Sequence, residues 1–237
     1  MTIIYHAVLE LHDSLYFATR EIGRLYETEP VLHNYALSYV LGLVDNPQFN
    51  TVVDDEEYSY RYFCAEQVPR YEEHLTPLNE QGIYVTPAIA LHHSSTLSTW
   101  KYADNHYHVE MQQMETNTPS FGRTKEISPE SQFEFFVFAQ IPLIINRWLR
   151  IGKWASKAKL EIKPLTNLRL HQASEFTYEA PLNPLDVMFA NQVLSYDTLN
   201  MPPVSLICNV RMIGDYYTSE DYPGLKLPAR MQYSFGG

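Results

Sequence analysis

The stretch "FEFFVFAQI", residues 133–141, decides the fold. Its apolar run is nearly continuous and bounded by polar sequence, the pattern of a strand in the middle of a sheet. Working outward, "TIIYHAVLEL" (2–11) alternates strictly, with Ile3, Tyr5, Ala7, Leu9 and Leu11 on one face and His6 and Glu10 on the other. It reads as a first strand. "SYRYFCAE" (59–66) and "GIYVTPAIAL" (82–91) read as further strands, with Gly82 supplying the turn before the latter. "VSLICNVRMIGDYY" (204–217) alternates again, with Val204, Leu206, Cys208, Val210 and Met212 on one side.

Two helices are expected between these strands. "PVLHNYALSYVLGLVDNP" starts at Pro30, stops at Asp45-Asn46-Pro47 and spaces Leu32, Ala36, Tyr39, Val40, Leu43 and Val44 helically. "NPLDVMFANQVLSYDTL" (183–199) offers Asn183 as N-cap, Pro184 in the first turn, Asp186 near the positive helix end, and a buried stripe of Leu185, Met188, Phe189, Val193 and Tyr196. The connection at 12–30 has no clear period. Residues 100–127 are polar, dotted with Tyr and His, and broken by Pro119 and Gly122, which reads as an extended hairpin leaving the core. Strands and helices interleave irregularly and no glycine-rich strand-to-helix turn is present, so the class is α+β with a largely antiparallel sheet.

At 237 residues, 45% apolar and 19% charged, the chain has globular composition and can bury a full core. No basic leader with an apolar core opens it and no run of 18 apolar residues occurs, so a soluble, cytoplasmic protein with no membrane partner is expected. Cys64 and Cys208 lack any CxxC partner and read as buried free thiols.

Charge is unevenly placed. The formal net charge is -11, yet Arg147, Arg150, Lys153, Lys157, Lys159, Lys163 and Arg169 face a single acid, Glu161, between 147 and 169. Such a segment calls for an anionic partner. In "RIGKWASKAK" (150–159) the cations suit phosphates, Gly152 lets a backbone approach closely, and the tryptophans offer stacking planes. The alternative is a solvated basic element with core tryptophans, and Trp148, beside "PLIIN", is expected to be buried. Up to residue 80, by contrast, fourteen acids face only Arg20, Arg24, Arg61 and Arg70, which leaves that third to solvent or to a basic protein partner.

No P-loop, GxSxG, HExxH or GxGxxG is present. His92-His93 and His106-x-His108 lack a third ligand at metal spacing and read as polar surface histidines, so neither metal nor cofactor is expected. Acid–base RNA cleavage needs only a base, an acid and a nearby cation, but Tyr, His and Lys are too abundant here to single out a trio.

Two stretches together, "LHDSLYFATREIGRLYETEPVLHNYALSYVLGL" (11–43) and "RIGKWASKAKLEI" (150–162), resemble the subtype I-D member of the CRISPR-associated Cas five family. The resemblance implies a single domain of the RAMP superfamily over 1–237. That domain would have a ferredoxin-like, RNA-recognition-type core and a protruding hairpin thumb, placed at about 100–127. It implies a non-catalytic, RNA-binding subunit of the type I-D Cascade complex in antiviral defence, gripping the crRNA five-prime handle. Neighbours would be the backbone subunit and the large subunit, with target DNA near the PAM as a further contact. The handle-binding residues it points to are Arg20, Arg24, Arg147, Arg150, Lys153, Trp154, Lys157 and Lys159, with Tyr26 and His33 flanking the arginine loop. Arginines would clamp phosphates, lysines act as point charges and Trp154 stack a splayed base. The glycine-rich loop of the wider superfamily is represented only by the terminal "SFGG". The rival reading is a metal-independent endoribonuclease that processes precursor crRNA.

Overall fold

The computed structural model describes residues 2–44, 69–102 and 120–236. The strand expected at 59–66, Cys64, the "DDEEY" acids at 54–58, His106, His108 and the middle of the 100–127 excursion lie outside them.

The described chain is mostly antiparallel β with three short helices. The main sheet runs β10 (Trp148–Ile151), β11 (Ser156–Pro164), β1 (Ile3–Leu11), β9 (Gln132–Ala139), β6 (Ala88–His92) and β4 (Val31–Leu32), with β5 (Tyr84–Val85) also paired to β9. The 133–141 run is therefore central, as its composition required. In β1, Tyr5, Ala7, Leu9 and Leu11 are buried as alternation predicted. Their ladder partners Val137, Phe135, Phe133 and Ala158 are buried with them. Pro87 separates β5 from β6, so the expected single strand at 82–91 is two.

A second sheet has β14 (Leu206–Ser219) at its centre, with β12 (Arg169–Tyr178) on one edge. Along the other edge β13 (Gln192–Leu199) and β15 (Tyr222–Pro228) share its length. A third joins β2 (Arg20–Ile22), β3 (Leu25–Glu27), β8 (Ser120–Ile127) and β7 (Ser95–Tyr102). There β7 and β8 form an antiparallel ladder from Ser95↔Ile127 to Tyr102↔Ser120, while β3 joins β8 in parallel. The bridge Leu15↔Ile127 ties this sheet to the main one. One continuous core runs from Ile4 and Phe135 through Phe176, Val210 and Met212.

Three expectations need correction. Helix α1 spans Asn34–Val40, not 30–44: Val31 and Leu32 pair with β6, and the His33 side chain accepts from the Tyr35 N–H as N-cap. Its buried face is Asn34, Tyr35, Leu37 and Ser38 rather than the Ala36/Tyr39/Val40 stripe. Helix α2 (Tyr71–Glu80) has no counterpart in the sequence reading. The helix expected over 183–199 is a single turn, α3 (Pro184–Val187), followed by β13. Asn183 does cap it, accepting from the Leu185 N–H at 3.1 Å, but Met188, Phe189 and Tyr196 are exposed because the chain turns away after one turn. In β14 the alternation breaks at Asn209, whose φ of 51° lets Leu206 and Ile207 both bury and leaves Cys208 half-buried.

Candidate nucleic-acid interface

The outer face of the main sheet is divided in two. Towards the start of β1, Ile4, Phe136 and Phe138 are buried under the second sheet, with Tyr222 over Phe136 at 6.1 Å and Tyr217 over Phe138 at 6.3 Å. Glu134 closes this junction, accepting from His6 at 2.7 Å and from the Tyr222 hydroxyl at 2.6 Å. Burial pushes its carboxyl up, but these two hydrogen bonds outweigh that and hold it below the usual range. Towards the end of β1 the second sheet no longer covers the face, and the basic segment lies there.

That segment is a hairpin, β10 and β11 joined by a turn at 152–155. Alternation buries Leu149, Ile151, Ala158 and Leu160 and sends Trp148, Arg150, Lys157 and Lys159 outward. The register sets Trp148 opposite Lys159 and Arg150 opposite Lys157. The Lys157 Nζ sits 4.2 Å from the centre of the Trp148 ring, and His12 meets that ring edge-on at 4.9 Å. Trp148 is 48% exposed, so the expected core position is wrong: the inward place beside it belongs to Leu149.

At Gly152 the backbone that approaches closely is the chain's own. The glycine φ is +79°, and a Cβ there would come within 2.9 Å of the Tyr16 carbonyl oxygen. The next residue, Lys153, donates its N–H to that same oxygen at 2.9 Å. The turn thereby locks onto the start of the 12–30 connection, reinforced by the Ser156 hydroxyl on the Ser14 carbonyl at 2.6 Å. Trp154, 51% exposed, lies over Tyr16 at 4.6 Å and 33°. Sequence reasoning missed Tyr16 as its platform; the only signal was an adjacent aromatic pair, Tyr16-Phe17, in a segment without a period.

The cations differ in freedom. Lys159 pairs with Glu161 at 2.9 Å, and Arg150 reaches Asp13 at 3.8 Å while donating to the Ala155 carbonyl at 3.1 Å. No ion pair among the described residues holds Arg147, Lys153 or Lys157. Arg20 is engaged elsewhere, in the third sheet: it hydrogen-bonds Glu27 through Nε and Nη2 and stands 3.6 Å from Glu29. The hydrogen bond from Arg20 holds the Glu27 carboxyl below its ordinary value. Arg24 occupies the β2–β3 turn, where its carbonyl accepts from the Arg123 N–H at 2.9 Å. His33 is buried as the α1 cap, and burial pushes its imidazole down to about 4. Its ring lines the cavity between α1 and the 201–203 loop rather than the hairpin face, whereas Tyr26 sits half-buried in β3. The structure thus gathers Arg147, Arg150, Lys153, Trp154, Lys157 and Lys159 on one hairpin. Arg20 and Arg24 belong to the small sheet instead.

Among the described residues no group of three His, Cys, Asp or Glu side chains could hold a metal ion, and no helix is long and apolar enough to cross a membrane. No curated protein matches the chain. Two chains from cryo-EM structures of the type III-B Cmr-beta, one bound to cognate target RNA and the other to cognate target RNA and AMPPnP, are distantly similar. The first shares 12% identity at a TM-score of 0.41 over 69% of this chain and 60% of that one. The second shares 10% identity at 0.44 over 88% and 86%. Residues 2–236 match the model of the type I-D CRISPR-associated protein Cas5/Csc1, and the chain belongs to that family.

Proposed function

We propose that the chain is a non-catalytic, RNA-binding structural subunit of the type I-D Cascade complex in the cytoplasm, where it caps the five-prime handle of the crRNA. The observation that carries this is the β10–β11 hairpin. It presents three cations that no ion pair among the described residues holds, and two half-exposed indoles, beyond the part of the main sheet that the second sheet covers. Phosphates would lie along Arg147, Lys153 and Lys157, with Arg150 exchanging Asp13 for a phosphate and a base stacking on the outer face of Trp154. The acidic parts of the chain would face the backbone and large subunits, and target DNA near the PAM is a further contact of this reading.

Two finer points of architecture belong to the same proposal. The order β11-β1-β9-β6, with α1 and α2 lying between β1 and β5 in sequence, supports a ferredoxin-like core of a single RAMP-type domain in which an extended connection replaces the second crossing helix. The β7–β8 ladder, paired from Ser95↔Ile127 to Tyr102↔Ser120, supports the thumb.

End-labelled repeat RNA mixed with the purified chain in chelator tests the function, with retention scored on a native gel and integrity on a denaturing gel. Retained, intact RNA is expected. Replacing both Lys153 and Lys157 by Ala should lower the salt slope by about 0.7 for each lost phosphate contact, and an unchanged slope removes the hairpin as the site. A single specific cut would instead make the chain a metal-independent endoribonuclease, with His6, Tyr222 and the cross-strand Lys163 as the group to examine.

A further inference from the structure

Beside the basic hairpin a cavity of about 260 Å³ opens between the 12–30 connection, α1, α2 and the 201–203 loop. Val31 and Met201 form its buried wall, Phe17, Ala36 and Tyr71 its half-buried sides, and Pro202 and Lys153 its exposed rim. It has room for about nine waters at the roughly 30 Å³ each occupies in the liquid, enough to admit one planar heterocycle.

The Thr19 and His33 side chains that line it are already engaged. The Thr19 hydroxyl donates to the Glu27 carbonyl at 3.0 Å and accepts from the Glu29 N–H at 2.9 Å. The His33 Nδ1 accepts from the Tyr35 N–H, and its Nε2 lies 3.2 Å from the Val204 carbonyl. With those two side chains satisfied, the walls offer chiefly apolar and aromatic contact. The exception is at the mouth, where the Lys153 ammonium has no ion pair among the described residues.

Two consecutive pairs connect the exposed stacking plane to the cavity. Trp154 lies on Tyr16, while their neighbours Lys153 and Phe17 line the cavity, and sequence neighbours stand about 3.8 Å apart at Cα. A strand whose base stacks on Trp154 thus has its adjoining base within reach of the opening, with the Lys153 charge between them for the linking phosphate.

We propose that this cavity takes one unstacked nucleobase of the single strand bound along the β10–β11 hairpin, held by apolar contact without selection among bases; the proposal rests on the RNA-binding reading of that hairpin. Charge favours this occupant over an apolar peptide side chain, because the mouth is cationic and continuous with the hairpin's phosphate-binding face.

The test is an abasic scan. The unaltered full chain is titrated by fluorescence anisotropy against repeat-derived RNAs in which each nucleotide in turn lacks its base. Two adjoining positions are expected to lose affinity, each by about tenfold. Trp154→Ala should erase the sensitivity at one and Ala36→Phe, which fills the cavity without touching a charge, at the other, with the salt slope of the Ala36→Phe chain unchanged. Exchanging the base at the cavity position should alter affinity by no more than about twofold. A thermal melt checks that Ala36→Phe is folded, and the scan on the unaltered chain needs no variant. A single sensitive position, erased by Trp154→Ala, overturns the cavity and leaves the hairpin reading intact. So does a strong preference for one base at the cavity position. Absence of RNA binding by the unaltered chain overturns both.

Discussion

At the scale of the residue, the most consequential side chain outside the basic face is Asp186. It is fully buried and accepts from the Asn34 amide at 2.8 Å, the Tyr84 hydroxyl at 3.0 Å and the Ser234 N–H at 3.0 Å. Burial, only partly offset by these hydrogen bonds, pushes its carboxyl up to about 7. The unfolded value is about 3.9, so between about pH 4 and pH 7 the folded chain holds a proton that the unfolded chain has released. Stability contributed by this group therefore falls as pH rises through that window and is flat on either side. Asp186→Asn should remove the slope, with the Asn34 Oδ1, which has no hydrogen-bond partner, turning to accept from the new amide. Because only the unaltered chain loses stability across the window, the variant's stability relative to it should be up to about 4 kcal/mol more favourable at about pH 8 than at acid pH. Urea melts across the window check this, and an unchanged slope in the variant counts against it. On the RNA face the two tryptophans should behave unequally. Trp154 has an open outer face, while Lys157 already covers one side of Trp148. Trp154→Ala should cost RNA affinity about 1–3 kcal/mol, as loss of a base stack does, and Trp148→Ala less. Anisotropy titrations at one salt concentration compare them, and equal losses would place the bound strand over both rings.

At the scale of the element, the hairpin depends on its turn. Gly152→Ala combines a φ of +79° with a Cβ that would sit 2.7 Å from the Leu15 Cδ1 and 2.9 Å from the Tyr16 carbonyl. Gly224→Ala meets a similar φ of +89° with nothing within 4 Å. The first should destabilise by about 1–3 kcal/mol and the second by about 1. Denaturant melts of both give the difference, which isolates the contact with Tyr16, and equal costs would mean the turn yields freely. The basic charge of this element was legible in sequence because its signal is local, seven cations against one acid, but its hairpin form was not, because strand or helix was left open there. The strands β1 and β9 were legible because a regular ladder imposes period two or continuous burial on its residues. The start of α1 was not, because its buried face includes Asn34 and Ser38, polar residues that an apolar periodicity cannot count. Ser38 is held by the Asn34 carbonyl and the Tyr233 hydroxyl, Asn34 by Asp186. The stretch after Asn183 misled because a good N-cap followed by apolar residues at helical spacing also fits one turn and an edge strand whose exposed side chains happen to be large.

At the scale of the whole molecule, the sequence made the antiparallel class and the central strand legible. The partition into three sheets was beyond it, because long-range pairings such as Leu15↔Ile127 and the parallel join of β3 to β8 leave no local pattern. The partition matters because it separates charge. The basic hairpin lies on the open end of the main sheet of a chain whose formal net charge is -11. A bound strand is therefore attracted by a few cations at contact distance and repelled by acids spread over the rest of the molecule. The two forces have different ranges. At about 0.15 M salt the Debye length is roughly 8 Å and the distant acids are screened, whereas at about 0.01 M it is roughly 30 Å, comparable to the molecule, and they are not. Most phosphate-binding proteins tighten steadily as salt is removed, with log K linear in log salt. This chain should follow that line at moderate salt and then flatten as the repulsion emerges, with RNA affinity no longer rising below about 0.03 M. An anisotropy titration from low to physiological salt measures the curve. A line that stays straight to the lowest salt would mean that the acids lie too far from the strand's path to be felt. Neutralising Glu10 and Asp13, the carboxylates nearest the hairpin on β1 and just after it, should lift the low-salt end of the curve more than the high-salt end.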